Sequence, residues 1–64
     1  MAVQDLYRVI FDEEEVEIKM NNGITLWYGK NEDMPSEYLE KIVKSIYSFN
    51  GINEPYLVIE IAYK

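Results

Sequence analysis

The chain has 64 residues, with 12 acidic and 6 basic side chains, so its formal charge is −6, and it has no His and no Cys. Without those two residue types it cannot hold a thiol nucleophile, a disulfide framework, a Cys/His zinc site or a His-based catalytic relay. Hydrophobic residues make up 48% of the chain, which is too many for a disordered acidic tail. We therefore expect one small folded domain, residues 1–64, that is a binding protein and not an enzyme.

Three strands are predicted in the first half of the chain. Residues 3–11 are rich in β-forming side chains and predict the first strand. In residues 15–20, apolar side chains alternate with Glu and Lys, which is the period of a strand with one buried face. Asn22-Gly23 is typical of a tight hairpin turn, so residues 24–28 are predicted to form the third strand.

The second half of the chain predicts a helix followed by a strand. Residues 39–49 carry apolar side chains at helical spacing. Either Asp33 or Ser36 is a suitable N-cap, and Asn50-Gly51 suits the C-terminal end of the helix. Residues 56–63 alternate again and predict the fourth strand.

The predicted element order is β-β-β-α-β. It indicates an α+β fold of two layers, with a four-stranded, mostly antiparallel (mixed) sheet and one helix on one face. A right-handed crossover through the helix would place the last strand parallel to the first, in the spatial order 4-1-2-3. The face under the helix is predicted to consist of Tyr7, Val9, Phe11, Val16, Ile18, Met20, Ile24, Leu26, Tyr28, Leu57, Ile59 and Ile61.

A single helix leaves the other face of the sheet uncovered, and that face also carries apolar side chains. Apolar patches of this kind usually mark an interface, and self-association would stabilise the small core of a short domain. Scattered exposed apolar residues are the alternative explanation. We expect a homodimer, or a contact with another protein, through Leu6, Ile10, Trp27, Tyr56 and Val58.

The acidic side chains are concentrated in two segments, residues 12–17 and Glu32-Asp33. If the first and third strands run in the same direction, both segments lie at one end of the sheet. Glu13, Glu15 and Glu17 would form a row along one side of a strand that resembles a row of phosphates. A basic DNA-binding groove attracts such a row, because the carboxylates neutralise its Lys and Arg side chains. The predicted phosphate-mimicking residues are Asp12, Glu13, Glu14, Glu15, Glu17, Glu32 and Asp33; a solvated acidic turn is the alternative.

Other functions receive less support from the sequence. Carboxylates such as Glu13 and Glu32 are the only acid–base candidates, and 64 residues leave little room to build a substrate cleft around them. The acidic run lacks the ligand spacing and central glycine of an EF-hand, so we expect no metal site and no cofactor. The absence of a basic patch argues against direct nucleic-acid binding. No apolar run approaches the ~20 residues of a membrane span, and the first residues lack a signal-peptide pattern, so a cytoplasmic protein is expected.

The acidic run Asp12-Glu13-Glu14-Glu15, in a short chain with excess aromatic residues, resembles the small DNA-mimic inhibitors that bacteriophages encode. The host-takeover inhibitors of the nucleoid protein HU, which act as dimers, are the group it resembles most. The resemblance implies a viral protein that occupies the DNA-binding surface of a host protein in the bacterial cytoplasm. Uracil-DNA glycosylase inhibitors and anti-CRISPR proteins share the same general character. A module that pairs with a protein partner through its exposed sheet face, without mimicry, is the other hypothesis.

Overall fold

The computed structural model describes residues 1–50 and 55–62 and shows a small α+β fold with a four-stranded mixed sheet. A helix, α1, comes first and four strands, β1 to β4, follow it, with two short 3-10 turns between β2 and β3. The bounds are Val3–Tyr7 for α1, Glu15–Met20 for β1, Thr25–Lys30 for β2, Asn31–Asp33 and Ser36–Tyr38 for the 3-10 turns, Val43–Asn50 for β3 and Pro55–Ile61 for β4.

The strands lie side by side in the order β2-β1-β4-β3. β1 pairs antiparallel with β2, and β4 pairs antiparallel with β3. The two central strands, β1 and β4, are parallel to each other, with Ile18 opposite Ile59. β2 and β3 are therefore the two edges of the sheet.

The β1–β2 hairpin agrees with its sequence prediction. Gly23 in the turn has a φ of 95°, a left-handed value that glycine adopts without strain. In β1 the side chains of Val16 and Ile18 are fully buried, as the alternating pattern predicts.

A β-bulge shifts the register within this hairpin. Ile18 lies opposite Trp27, whereas Lys19 lies opposite Thr25, so Leu26 is the extra residue. Trp27 therefore lies on the core face of the sheet with Ile18, whereas Leu26 and Tyr28, on either side of Trp27, are exposed.

The prediction of a strand over residues 3–11 is wrong, because this segment forms α1 and then continues in turns. Val3, Leu6, Tyr7 and Ile10 recur at helical spacing, and all four belong to the core or pack against it. β-Propensity depends on side-chain packing within a sheet, and the burial of these four side chains on one side of a short helix outweighs it. α1 thus takes a covering position that the sequence assigned to a later helix.

The predicted helix over residues 39–49 is also wrong. The short 3-10 turn Ser36–Tyr38 ends before this segment, no residue from 39 to 49 is helical, and Val43–Asn50 is strand β3, with Ile46 opposite Ile59 of β4. The Val, Ile, Tyr and Phe side chains of this segment favour a strand once a partner is available. The β-β-β-α-β order and the 4-1-2-3 arrangement are therefore not those of the structure. Gly51 and Tyr63, which the sequence placed in a helix cap and the last strand, lie outside the described residues.

The core lies between one face of the sheet and a layer that contains α1 and parts of the connection from β2 to β3. The buried core cluster consists of Val3, Val16, Ile18, Met34, Ile59 and Ile61. The predicted covered face is confirmed for Val16, Ile18, Leu57, Ile59 and Ile61; Tyr7 contacts the core from α1, and Met20 is half-buried. The prediction is wrong for Val9, Phe11, Ile24, Leu26 and Tyr28, which are exposed.

Candidate binding surface

The structure brings the two acidic segments of the sequence together. The backbone N–H of Asn31 donates to the carbonyl of Glu14 at 2.8 Å, and the N–H of Glu32 donates to the carbonyl of Asp12 at 3.0 Å. The first acidic segment connects α1 to β1, and the second forms the 3-10 turn that follows β2. We call the resulting surface the acidic patch, and it consists of Asp12, Glu13, Glu14, Glu15, Glu32 and Asp33.

Asn31 holds the backbone beneath the acidic patch in place. Its side chain is fully buried, and its Nδ2 donates to the carbonyls of Tyr7 at 3.1 Å and Ile10 at 3.2 Å. These two bonds join the end of β2 to the turns that follow α1. The sequence analysis did not single out Asn31, since its role depends on carbonyls more than 20 residues away in the chain.

The negative charge of the acidic patch is largely uncompensated. Among the described residues the one ion pair joins Lys19 to Glu17 at 3.7 Å, outside the patch. Glu15 accepts a hydrogen bond from the Tyr28 hydroxyl at 3.0 Å, and Lys30 lines a shallow depression together with patch residues. Six carboxylates at one end of the sheet, with Lys30 as a neighbouring cation, give this surface a negative local potential.

The predicted row of Glu13, Glu15 and Glu17 is not formed. Glu13 precedes the start of β1, so it does not share the strand geometry of the other two. Glu17 is only 7% exposed and lies within the sheet surface, where it accepts a hydrogen bond from the Thr25 hydroxyl. The negative surface is therefore a patch at the end of the sheet rather than a line along β1.

Phe11 stands at the border of the acidic patch and is 84% exposed. It lines an open depression together with Asp12, Glu13, Glu14 and Glu32. A large apolar side chain next to a charged rim is typical of a contact point for a partner protein. The sequence analysis missed Phe11, because the predicted first strand placed it in the core.

The five residues predicted to form one open face lie on different sides of the molecule. Leu6, Ile10 and Trp27 pack against the core. Tyr56 lies on β4 next to Val58 on the opposite side of the sheet from the core cluster, and Val58 is itself buried. The difference arises because residues 3–11 form no strand and Trp27 lies opposite the buried Ile18.

Aromatic side chains dominate the sheet surface on the side away from the core. The ring centroids of Tyr28 and Tyr56 are 5.1 Å apart, and those of Phe49 and Tyr56 are 5.6 Å apart. The Tyr47 hydroxyl lies 3.5 Å from a carboxylate oxygen of Glu60. We call Tyr28, Tyr47, Phe49 and Tyr56 the aromatic face; Phe49 is 52% exposed and Tyr28 is 49% exposed.

Carboxylates beside the aromatic face change the ionisation of its tyrosines. The hydrogen bond to Glu15 raises the pKa of Tyr28, because ionisation would remove the donated proton and add a second negative charge. Desolvation and the nearby carboxylate of Glu17 raise the pKa of Tyr56. Both hydroxyls stay protonated at neutral pH and keep their capacity to donate.

The part of the chain that the structure describes contains neither a grouped metal-binding site nor a membrane-spanning helix. Within residues 1–50 and 55–62, no three acidic side chains are grouped so that they could hold a metal ion. No helix in the same part of the chain is long and apolar enough to cross a membrane. In the comparisons with known proteins, no family model, no curated protein and no solved structure matches the chain.

Proposed function

We propose that the protein binds the positively charged DNA-binding surface of another protein through the acidic patch and thereby blocks that surface. It would act as a DNA mimic, and the nucleoid protein HU of a bacterial host is the first target to test, with the protein encoded by a phage and acting in the host cytoplasm. The observation that supports this most is that two acidic segments join into one patch, whose six carboxylates form no ion pair with any described residue.

The acidic patch suits a basic groove for a physical reason. A DNA-binding groove concentrates Lys and Arg side chains that repel one another, and carboxylates relieve that repulsion as phosphates do. Carboxylates also accept the paired N–H groups of Arg in the same bidentate way as phosphates. Phe11 adds an apolar contact at the border of the patch, where phosphates alone would offer none.

A pair of matched double variants tests the proposal. Glu13→Gln with Glu32→Gln neutralises two exposed carboxylates of the patch, and Glu37→Gln with Glu40→Gln makes the same change in net charge outside it. Affinity for purified HU, measured by calorimetry, is expected to fall about five- to thirtyfold in the patch variant, since each exposed charge pair contributes up to ~1 kcal/mol. The control variant is expected to bind as the wild type does.

The salt dependence provides a second readout from the same titration. Wild-type affinity should decrease steeply between about 50 mM and about 200 mM salt, and the patch variant should show a shallower slope. Phe11→Ala should weaken binding and leave the slope unchanged, because it removes no charge. Equal losses in the two double variants would mean that only net charge matters, and unchanged affinity in the patch variant would refute mimicry. Parallel titrations with a uracil-DNA glycosylase and a Cas nuclease distinguish the other targets of this kind.

The aromatic face favours a second candidate function, a module that pairs with a protein partner through its sheet. Phe49 and Tyr28 are each about half exposed, which leaves apolar surface available for contact. On this hypothesis Phe49→Ala weakens binding strongly, and the patch variant and the salt concentration have little effect. Trp27→Ala does not test this hypothesis, because Trp27 packs against the core and its removal would perturb the fold.

A further inference from the structure

The two edges of the sheet differ in how well they are protected against pairing with another strand. The β2 edge contains a bulge at Leu26 and continues directly into the acidic residues Glu32 and Asp33. The β3 edge has 8 residues, and its pairing with β4 runs without a register shift from Ser45 to Asn50. Bulges and charges are the usual devices that prevent pairing at an edge. β3 has both at its beginning, where the register shifts between Val43 and Ser45 and Lys44 is the extra residue, and it has neither from Ser45 to Asn50.

At the beginning of β3 the outer side is covered by the first residues of the chain, since the Val43 N–H donates to the Met1 carbonyl at 2.8 Å and Ala2 bridges Ile42. From Ser45 to Asn50 the outer side has no neighbour in the part of the chain that the structure describes. Its backbone groups on that side are available to a further strand. Apolar side chains are exposed on both faces of this edge, with Ile46 on the core side and Tyr47 and Phe49 on the aromatic face. A strand added here would bury apolar surface on both faces of the sheet.

Charge indicates which partner fits this edge. β3 contains no acidic residue, and Lys44 at its beginning is its one charged side chain. A second copy of a chain with a net charge of −6 is repelled by the acidic patch, so it would approach most easily where acidic groups are absent. A strongly basic partner would gain nothing from β3 and would be drawn to the acidic patch instead.

We propose that two copies of the protein pair through β3 in an antiparallel arrangement and form one continuous sheet. A twofold axis perpendicular to the sheet generates this contact. The assembly stops at two copies, because each copy uses its β3 edge once. The axis preserves the faces, so the aromatic face of one copy continues into that of the other. Whatever the register between the two β3 strands, the twofold axis places one residue of β3 directly opposite the same residue of the second copy.

The dimer keeps the two acidic patches apart. Each patch lies at the end of the sheet where β1 begins, and antiparallel pairing directs these ends of the two copies in opposite directions. The negative surfaces therefore do not face each other, and both stay accessible.

A cysteine scan of β3 locates the contact, because the natural chain has no Cys. Single Cys substitutions are made at each of residues 45–49, and Tyr28→Cys serves as the matched control. Tyr28 and Tyr47 are both tyrosines on the aromatic face of an edge strand, at 49% and 39% exposure. Residues directly opposite have Cβ atoms ~4.5–5.5 Å apart, which is close enough for a disulfide after small adjustments.

Under mild oxidation one or two of the β3 variants are expected to form disulfide-linked dimers about tenfold or more faster than Tyr28→Cys, as expected for thiols held at a high effective concentration. Equal rates at β3 and β2, or faster cross-linking of the control, would overturn the proposal. Wild-type protein should sediment with twice the 7.6 kDa mass of one chain, and this measurement needs no variant. A wild-type mass of one chain up to millimolar concentration would also overturn it.

A charge on the edge should separate the copies. Ser48→Lys places a cation at the proposed contact, and Ser36→Lys makes the same change at an exposed position outside β3. The dimer dissociation constant is expected to increase about tenfold or more for Ser48→Lys and to stay unchanged for Ser36→Lys. Equal behaviour of the two variants would refute the contact at β3, and it would leave HU binding through the patch unaffected.

Discussion

Replacement of Asn31 is the most direct test of how the acidic patch is built. In Asn31→Ala the carbonyls of Tyr7 and Ile10 lose the two hydrogen bonds that the Asn31 amide donates. Each buried hydrogen bond contributes about 0.5–1.5 kcal/mol, so the two together contribute about 1–3 kcal/mol. The Oδ1 atom of Asn31 is buried without a partner among the described residues, and its removal offsets part of the loss. We expect a net loss of about 2 kcal/mol.

This loss is large relative to the stability of so short a chain. A domain of 64 residues has a free energy of unfolding of about 3–10 kcal/mol. With a urea m-value of about 1 kcal/mol per M, the unfolding midpoint should fall by about 2 M. The fluorescence of Trp27, the single tryptophan, reports the transition because its ring packs against the core.

Asn21→Ala is the matched control, because it makes the same chemical change at an exposed position in the hairpin turn. Its stability should stay within about 0.5 kcal/mol of the wild type. If Asn31→Ala were equally neutral, the two bonds to α1 and its following turn would contribute nothing, and our account of the patch would be refuted. If the proposed function is right, Asn31→Ala should also weaken binding to HU, since the backbone beneath the patch would be less well held.

The isosteric variant Asn31→Asp adds a pH signature to this test. It places a carboxylate against two carbonyl oxygens, so burial and repulsion raise its pKa in the folded state above the usual value of about 3.9. The destabilisation should therefore be greatest at neutral pH and should diminish as the pH falls, and it should be lost below about pH 4, where the group becomes protonated in both states. A destabilisation independent of pH would contradict this account.

Three further predictions concern other positions. Gly29→Ala should destabilise the fold by about 1–3 kcal/mol in urea unfolding, because the new Cβ would lie 2.8 Å from the Trp27 ring; a neutral result would mean that the ring moves aside freely. Gly23→Ala should cost about 1 kcal/mol from its positive φ alone, since nothing lies within 4 Å, and Gly23→Asn should recover part of that loss. Stability should decrease as the pH rises above about 10, because the raised pKa values of Tyr28 and Tyr56 mean that the fold favours their neutral forms. Tyr28→Phe and Tyr56→Phe should each reduce that decrease, and a wild-type stability that rises above pH 10 would exclude the assignment.

The sequence alone determined the features that depend on neighbours in the chain. The alternating side chains of β1 and the Asn22-Gly23 turn predict the first hairpin, and both are present. The same alternation identifies Val16 and Ile18 as core residues. Composition and charge likewise came from the sequence, including the concentration of acidic side chains in two segments.

Only the tertiary structure decided what depends on distant partners. Residues 43–50 satisfy a helical spacing and a strand composition equally well, and pairing with β4 selects the strand. The segment Val3–Tyr7 becomes a helix because its apolar side chains cover the sheet that the later strands complete. A bulge at Leu26 sets which residues of β2 face the core, and no local pattern predicts a bulge. The acidic patch exists for the same reason: hydrogen bonds between segments far apart in the chain place Asp12 beside Glu32.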